Sequence, residues 1–168
     1  MTKLTIRRAI LALSLGFIAS NANAADVIRH QENARQPYAS SIIVPPGYST
    51  YYIAGGLASV ADPNAQQGSV QRYGDTATQT ASALSYLKNE LTTLGLTFGD
   101  VVEVHVFLAG DPAKDNKMDF GGMNSAWSKE FGTPTQPNKP IRATVQVAAL
   151  ARAGTLVEIE MVAVKKAE

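Results

Sequence analysis

The chain predicts an α+β domain: one sheet carrying two helices on one face, in the order β-β-α-β-α-β-β. Three features point there. The stretch "TATQTASALSYLKNELTTL" (76–94) spaces apolar residues by three and four, so it reads as a helix with one buried stripe. The stretch "VVEVHVFLA" (101–109) alternates, so it reads as a strand with two unlike faces. The helical patterns are also interleaved with strand patterns, so each helix finds a sheet to cover.

The first 24 residues are set aside before the fold is built. Lys3, Arg7 and Arg8 precede the short apolar run "AILALSLGFIA", and Ala22-Asn23-Ala24 has the small-x-small pattern of an export cleavage site. The expectation is a signal peptide over 1–24, a single mature domain over 25–168, and an exported, periplasmic product. Removing that segment takes away three positive and no negative charges, so the formal balance moves from +1 to −2. No basic tract remains to suggest nucleic-acid or membrane binding by the mature chain. There is no cysteine, so burial alone must hold the domain together. His30 and His105 lack ligand-spaced partners, so metal chemistry is not expected.

The elements follow in order. After a polar lead, "YASSIIV" and "TYYIAGGLA" flank the turn "PPGYS" and read as a β-hairpin. In the first helix Ala77, Ala81, Leu84, Leu87, Leu91 and Leu94 draw the stripe, and Gly95 occupies the position of a helix-ending glycine. In the next strand Val102, Val104, Val106 and Leu108 share one face, and Val101, Glu103, His105 and Phe107 share the other. A second helix is expected over 119–131, with Phe120, Met123, Trp127 and Phe131 on one side. A proline-rich connector, "GTPTQPNKP", leads to two last strands, "RATVQVAAL" and "LVEIEMVAV". The sheet's second face is half-apolar, and a small domain commonly covers such a face with copies of itself in a closed ring.

One residue resists this plan. Arg142 opens a strand of small and β-branched residues, yet its charge can almost never be shed. A strand-end arginine usually pairs with a nearby carboxylate, and Glu158 and Glu160 are the obvious partners. A simple hairpin centred on Ala153 would place Glu158 opposite Ala148 and Glu160 opposite Gln146, the former roughly 20 Å from Arg142 at strand rise. Three alternatives stay open: the strands are not neighbours, Arg142 and Glu158 meet across a subunit boundary, or Arg142 awaits an anion from outside.

The run "NKPIRATVQVAALARAGTLVEIEMVAV" resembles the C-terminal signature of the RidA (YjgF) reactive-intermediate deaminase family, with an arginine opening the penultimate strand and a glutamate in V-E-I-E. "QPYASSI", "YYIAGGLA", the first helix with its following strand, and "DFGGMNSAWSKEF" resemble the family's upstream segments. The resemblance implies a chorismate-mutase-like fold assembled as a homotrimer with clefts between subunits. It also implies cofactor-free hydrolysis of 2-imino or 2-enamino acids to 2-oxo acids and ammonia. By that resemblance the carboxylate-binding arginine is Arg142 and the water-positioning glutamate is Glu158. Tyr38, Gly55, Asn124 and Thr144 line the cleft. Ala54 stands where the family usually has serine, Gly56 where it often has glutamine, and Ala151 where it usually has proline. Two readings therefore remain: an imine deaminase, or a non-catalytic trimer that binds small carboxylates or other proteins.

Overall fold

The computed structural model describes residues 25–33 and 35–167; the expected signal peptide lies outside them. A four-stranded sheet is built from β3 (Tyr48–Leu57), β4 (Val101–Ala109), β5 (Ile141–Val147) and β6 (Val157–Lys166), ordered β3-β6-β4-β5. Two helices, α1 (Thr76–Thr93) and α2 (Phe120–Trp127), cover one face, and β1 (Ile28–His30) with β2 (Ser41–Ile43) forms a separate two-stranded ribbon. The predicted α+β order holds, with β1 added at its front.

The expected hairpin between β2 and β3 does not form. β2 pairs antiparallel with β1, and β3 pairs with β6. Pro45 and Pro46 remove two N–H donors where a hairpin ladder would start. β1 is tied down by Arg29 instead, whose guanidinium donates to the carbonyls of Val101, Gly99 and Lys139 at 2.9 to 3.1 Å. Burial holds the Arg29 pKa below the usual arginine value, with nearby Asp100 opposing the shift.

α1 starts where Asp75 accepts a hydrogen bond from the Thr78 N–H, a cap that holds the Asp75 carboxyl below its usual pKa. It ends in a Schellman turn: Gly95, at φ 69°, donates to Thr92 O, and Leu96 donates to Leu91 O at 2.8 Å. Its buried stripe is rotated from the expected one. Leu84, Leu87 and Leu91 are buried as expected, but Ala81 and Leu94 face water, while Ala83 and Gln79, outside that stripe, are wholly buried. Gln79 earns that place by bonding at both ends of its amide, donating to Gly74 O and Gly154 O and accepting from Leu156 N–H.

In β4, Val104, Val106 and Leu108 lie under the helices as expected. Val101, assigned to the opposite face, is instead in the core, because the pairing with β6 slips between Val101 and Glu103 and turns the strand's first residues over. α2 is shorter than expected. The chain beyond Trp127 continues in turns that bring Phe131 onto Trp127, with ring centroids 4.2 Å apart and nearly parallel planes.

Candidate functional site

The last two strands are not neighbours, which resolves the problem posed by Arg142. β4 lies between them, parallel to β5 and antiparallel to β6. The crossover from β4 to β5 runs through α2, so α2 sits above the start of β5. Arg142 pairs with Val104, a residue wholly buried beneath the helices, and therefore shares the helix face. Its guanidinium carbon lies 4.6 Å from the Trp127 ring centroid, 5.6 Å from Tyr38 and 5.7 Å from Phe120. Nη1 has only the Met123 sulfur, a weak acceptor at 3.7 Å.

No carboxylate answers this cation among the described residues. Burial pushes its pKa down to about 10, with Tyr38 acting weakly in the other direction. Among the described residues three buried side-chain polar atoms have no hydrogen-bond partner: Arg142 Nε, Thr144 Oγ1 and Asn124 Oδ1. Thr144 lies two residues along the same strand face, pairing with Val106, and Asn124 comes from α2 above it. Three orphans on one wall are costly, since each forgoes a hydrogen bond that water would have supplied. Tyr38 closes this wall, held there as its neighbours bond: Trp127 Nε1 donates to Pro37 O at 2.8 Å, and Ala39 N–H donates to Pro140 O.

Glu158 and Gly55 make a second wall elsewhere. Glu158 pairs with Phe107 of β4 and Leu57 of β3, so its side chain stands on the sheet face away from the helices. Its carboxylate lies directly over Gly55; a Cβ there would overlap Oε1 and come within 3.1 Å of Cγ. The β3–β6 register slips between Ile53 and Gly56, which is what frees Gly55 to pass so close. Glu158 has no ion pair among the described residues, whereas Glu160 holds His105 Nδ1 at 2.9 Å and Glu103 holds its Nε2 at 3.0 Å. The sequence left these two glutamates interchangeable, and the structure separates them.

The six predicted site residues thus fall into two groups: Tyr38, Asn124, Arg142 and Thr144 on the helix face at edge strand β5, and Gly55 with Glu158 on the far face beside edge strand β3. The model of the Endoribonuclease L-PSP family matches residues 29–165. The chain belongs to that family. It is the RidA (YjgF) family that the C-terminal signature resembles. Protein DfrA of Myxococcus xanthus is 36% identical over 129 residues, covering 76% of this chain and 85% of its own. The 2-iminobutanoate/2-iminopropanoate deaminase of Rattus norvegicus is 33% identical over 128 residues, covering 76% and 80%. A solved structure described as a putative endoribonuclease from Thermotoga maritima superposes with a TM-score of 0.51 at 29% identity, over 79% of this chain and 89% of that one.

Within this RidA-family chain, sequence reasoning missed the aromatic box. Trp127 was read as core, and it is core, at 0% exposure, yet the same ring floors the Arg142 guanidinium. The spacing Phe120, Met123, Trp127 contained the signal, because a helix stripe laid over a strand-opening arginine necessarily meets it.

Proposed function

We propose that the protein hydrolyses small 2-imino or 2-enamino acids to 2-oxo acids and ammonia in clefts between copies of the chain. The observation that carries this reading is the trio of buried, partnerless polar atoms, Arg142 Nε, Thr144 Oγ1 and Asn124 Oδ1, at a cation that meets no carboxylate among the described residues. A small acid docked on Arg142 supplies oxygens to Arg142 Nε and the Thr144 hydroxyl, with the guanidinium fork engaging the carboxylate in two parallel bonds, while Asn124 Oδ1, an acceptor, takes a hydrogen bond from the substrate's protonated imine.

Arg142 and Glu158 stand on opposite faces of one sheet with β4 between their strands. One copy therefore cannot bring both to one small molecule. The Arg142 wall lies at the β5 edge and the Glu158 wall on the far face beside β3, so a head-to-tail ring that seats one copy's β5 edge against the far face of the next copy assembles a complete cleft at each junction. A homotrimer is the ring the family resemblance implies. In such a cleft Arg142, Thr144, Asn124 and Tyr38 orient the substrate, while the Gly55 backbone and Glu158 come from the neighbour.

The chemistry asks little beyond that. The protonated imine carbon takes a water held by Glu158, which accepts its proton; as the carbinolamine collapses Glu158 returns that proton to nitrogen and takes the hydroxyl proton, so the C–N bond breaks, the carbonyl forms, and the leaving ammonia carries the last proton away as ammonium. Ketoacid release is timed from an aliphatic imine generated in situ, against the spontaneous rate. Acceleration that disappears in Glu158→Gln, with 2-oxo acid binding retained, supports the enzyme. Saturable binding of a 2-oxo acid with no acceleration in the unaltered protein selects the carboxylate binder, which Arg142 Nε and the Thr144 hydroxyl would serve as well.

A further inference from the structure

Beside Gly55 lies a hollow of about 320 Å³ lined by Gly55, Leu57, Ala58, Ser59, Tyr86 and Arg152. It adjoins the wall that carries Glu158, and Arg152 is the one charged residue in it. The chain's other anchored arginines are saturated more fully by backbone: Arg29 binds three carbonyls and Arg72 binds two, those of Pro63 and Ala65. Arg152 makes a single such bond, from Nη1 to Ala58 O at 3.1 Å, and its guanidinium lies 5.9 Å from the Tyr73 ring. It has no carboxylate partner among the described residues and is exposed. One carbonyl therefore anchors the group at the hollow's edge, and its remaining N–H donors have no hydrogen-bond acceptor among the described residues.

We propose that Arg152 determines specificity by binding a second, distal carboxylate, so that the preferred substrates are 2-imino dicarboxylic acids. This rests on the imine-hydrolase reading and names its substrate class. In the assembled cleft Arg142 holds the carboxylate next to the reacting carbon, and the neighbour's Arg152 meets the acid at the far end of a two-carbon arm. The hollow is larger than a methyl or ethyl side chain requires, and Ala54 and Gly56 leave its approach free of polar side chains that would hold a short substrate. Charge agrees with volume. Two guanidiniums and one carboxylate leave the cleft with one excess positive charge, which a dicarboxylate carrying a protonated imine cancels and a monocarboxylate does not. The reaction stays balanced: water adds at the imine carbon, ammonia leaves, and the distal acid is unchanged.

The test compares 2-oxopentanedioate with 2-oxopentanoate, equal in chain length and different only in the distal acid. At low ionic strength the dicarboxylate is expected to bind about tenfold tighter or more, as a charge-assisted pair in a partly dry site implies. In Arg152→Gln the ratio falls to within about twofold, and in Arg152→Glu it inverts, by the same charge reasoning. Lys129→Gln, which removes a positive charge from an exposed site, leaves the ratio unchanged. Equal affinity for the two acids in the unaltered protein, or a preference that survives Arg152→Gln, overturns the proposal. Because binding is read without turnover, a dicarboxylate preference without imine hydrolysis refutes the catalytic reading alone, and hydrolysis of 2-iminopentanoate without that preference refutes only the role of Arg152.

Discussion

Arg142→Met is expected to leave stability within about 1 kcal/mol of the unaltered protein while lowering affinity for 2-oxo acids on the order of 10²-fold. At about 1.36 kcal/mol per pH unit, holding the Arg142 pKa down at about 10 corresponds to about 3 kcal/mol of desolvation, and about half survives partial screening by water. The sign follows from the direction. A base whose pKa is lower in the folded state disfavours folding at every pH below that value, so the cost is fully present at neutrality and is relieved only above about pH 10. Methionine fills similar space among Trp127, Phe120 and Met123 without charge, while forfeiting a cation–π contact of about 0.5–2 kcal/mol. Set against about 1.5 kcal/mol of relieved desolvation, that loss leaves a net change between about 1 kcal/mol gained and about 0.5 kcal/mol lost, at most a few degrees in Tm for a domain of this size. Losing a bidentate charge-assisted contact removes about 3 kcal/mol of binding, on the order of 10²-fold in Kd. Chemical denaturation at fixed protein concentration and calorimetric titration with a 2-oxo acid read the two quantities. A variant destabilised by more than about 1 kcal/mol would refute the reasoning, since it would mean that the guanidinium stabilises the fold rather than waiting for a ligand.

Gly55→Ala places a methyl group in the volume of the Glu158 carboxylate, and turnover is expected to fall by about 10² or more with a much smaller change in 2-oxo acid affinity, as a misplaced catalytic group implies; steady-state kinetics beside a binding titration would show whether kcat carries the loss. The His105 pKa is raised, first by its hydrogen bond to Glu160 and then by the charges of Glu103 and Glu160, against desolvation. Its stabilisation is present in full below the ordinary histidine pKa and fades as pH climbs through the elevated one, so His105→Gln should flatten the pH dependence of denaturation midpoints there by less than about 1 kcal/mol. The proposed export signal predicts a mature amino terminus at Ala25; the intact mass of the protein recovered from a periplasmic extract tests it, and an uncleaved chain would refute it.

What the sequence revealed of the site depended on a failed pairing. Arg142 had no carboxylate at any reachable hairpin position, and the strand order shows why: β6 is two places away from β5 in the sheet. The division of the six residues between two faces was not legible, because face assignment depends on register, and register here is altered by two slips, at Ile53–Gly56 and at Val101–Glu103. β1 was missed for a related reason. "IRH" has no alternating pattern, and Arg29 holds it through backbone carbonyls that no side-chain pattern reports. Gln79 displaced the expected helix stripe in the same way, as a polar residue buried by virtue of bonds made far away in sequence.

Separation of Arg142 and Glu158 onto opposite sides of the sheet has a genetic corollary. Under the ring arrangement, each catalytic unit borrows one essential side chain from each of two polypeptides. Coexpressed Arg142→Met and Glu158→Gln chains, each inert alone, would regenerate intact junctions in about a quarter of positions if they mix at random around a closed ring. Two broken alleles would then complement one another, something no protein with a self-contained centre can do.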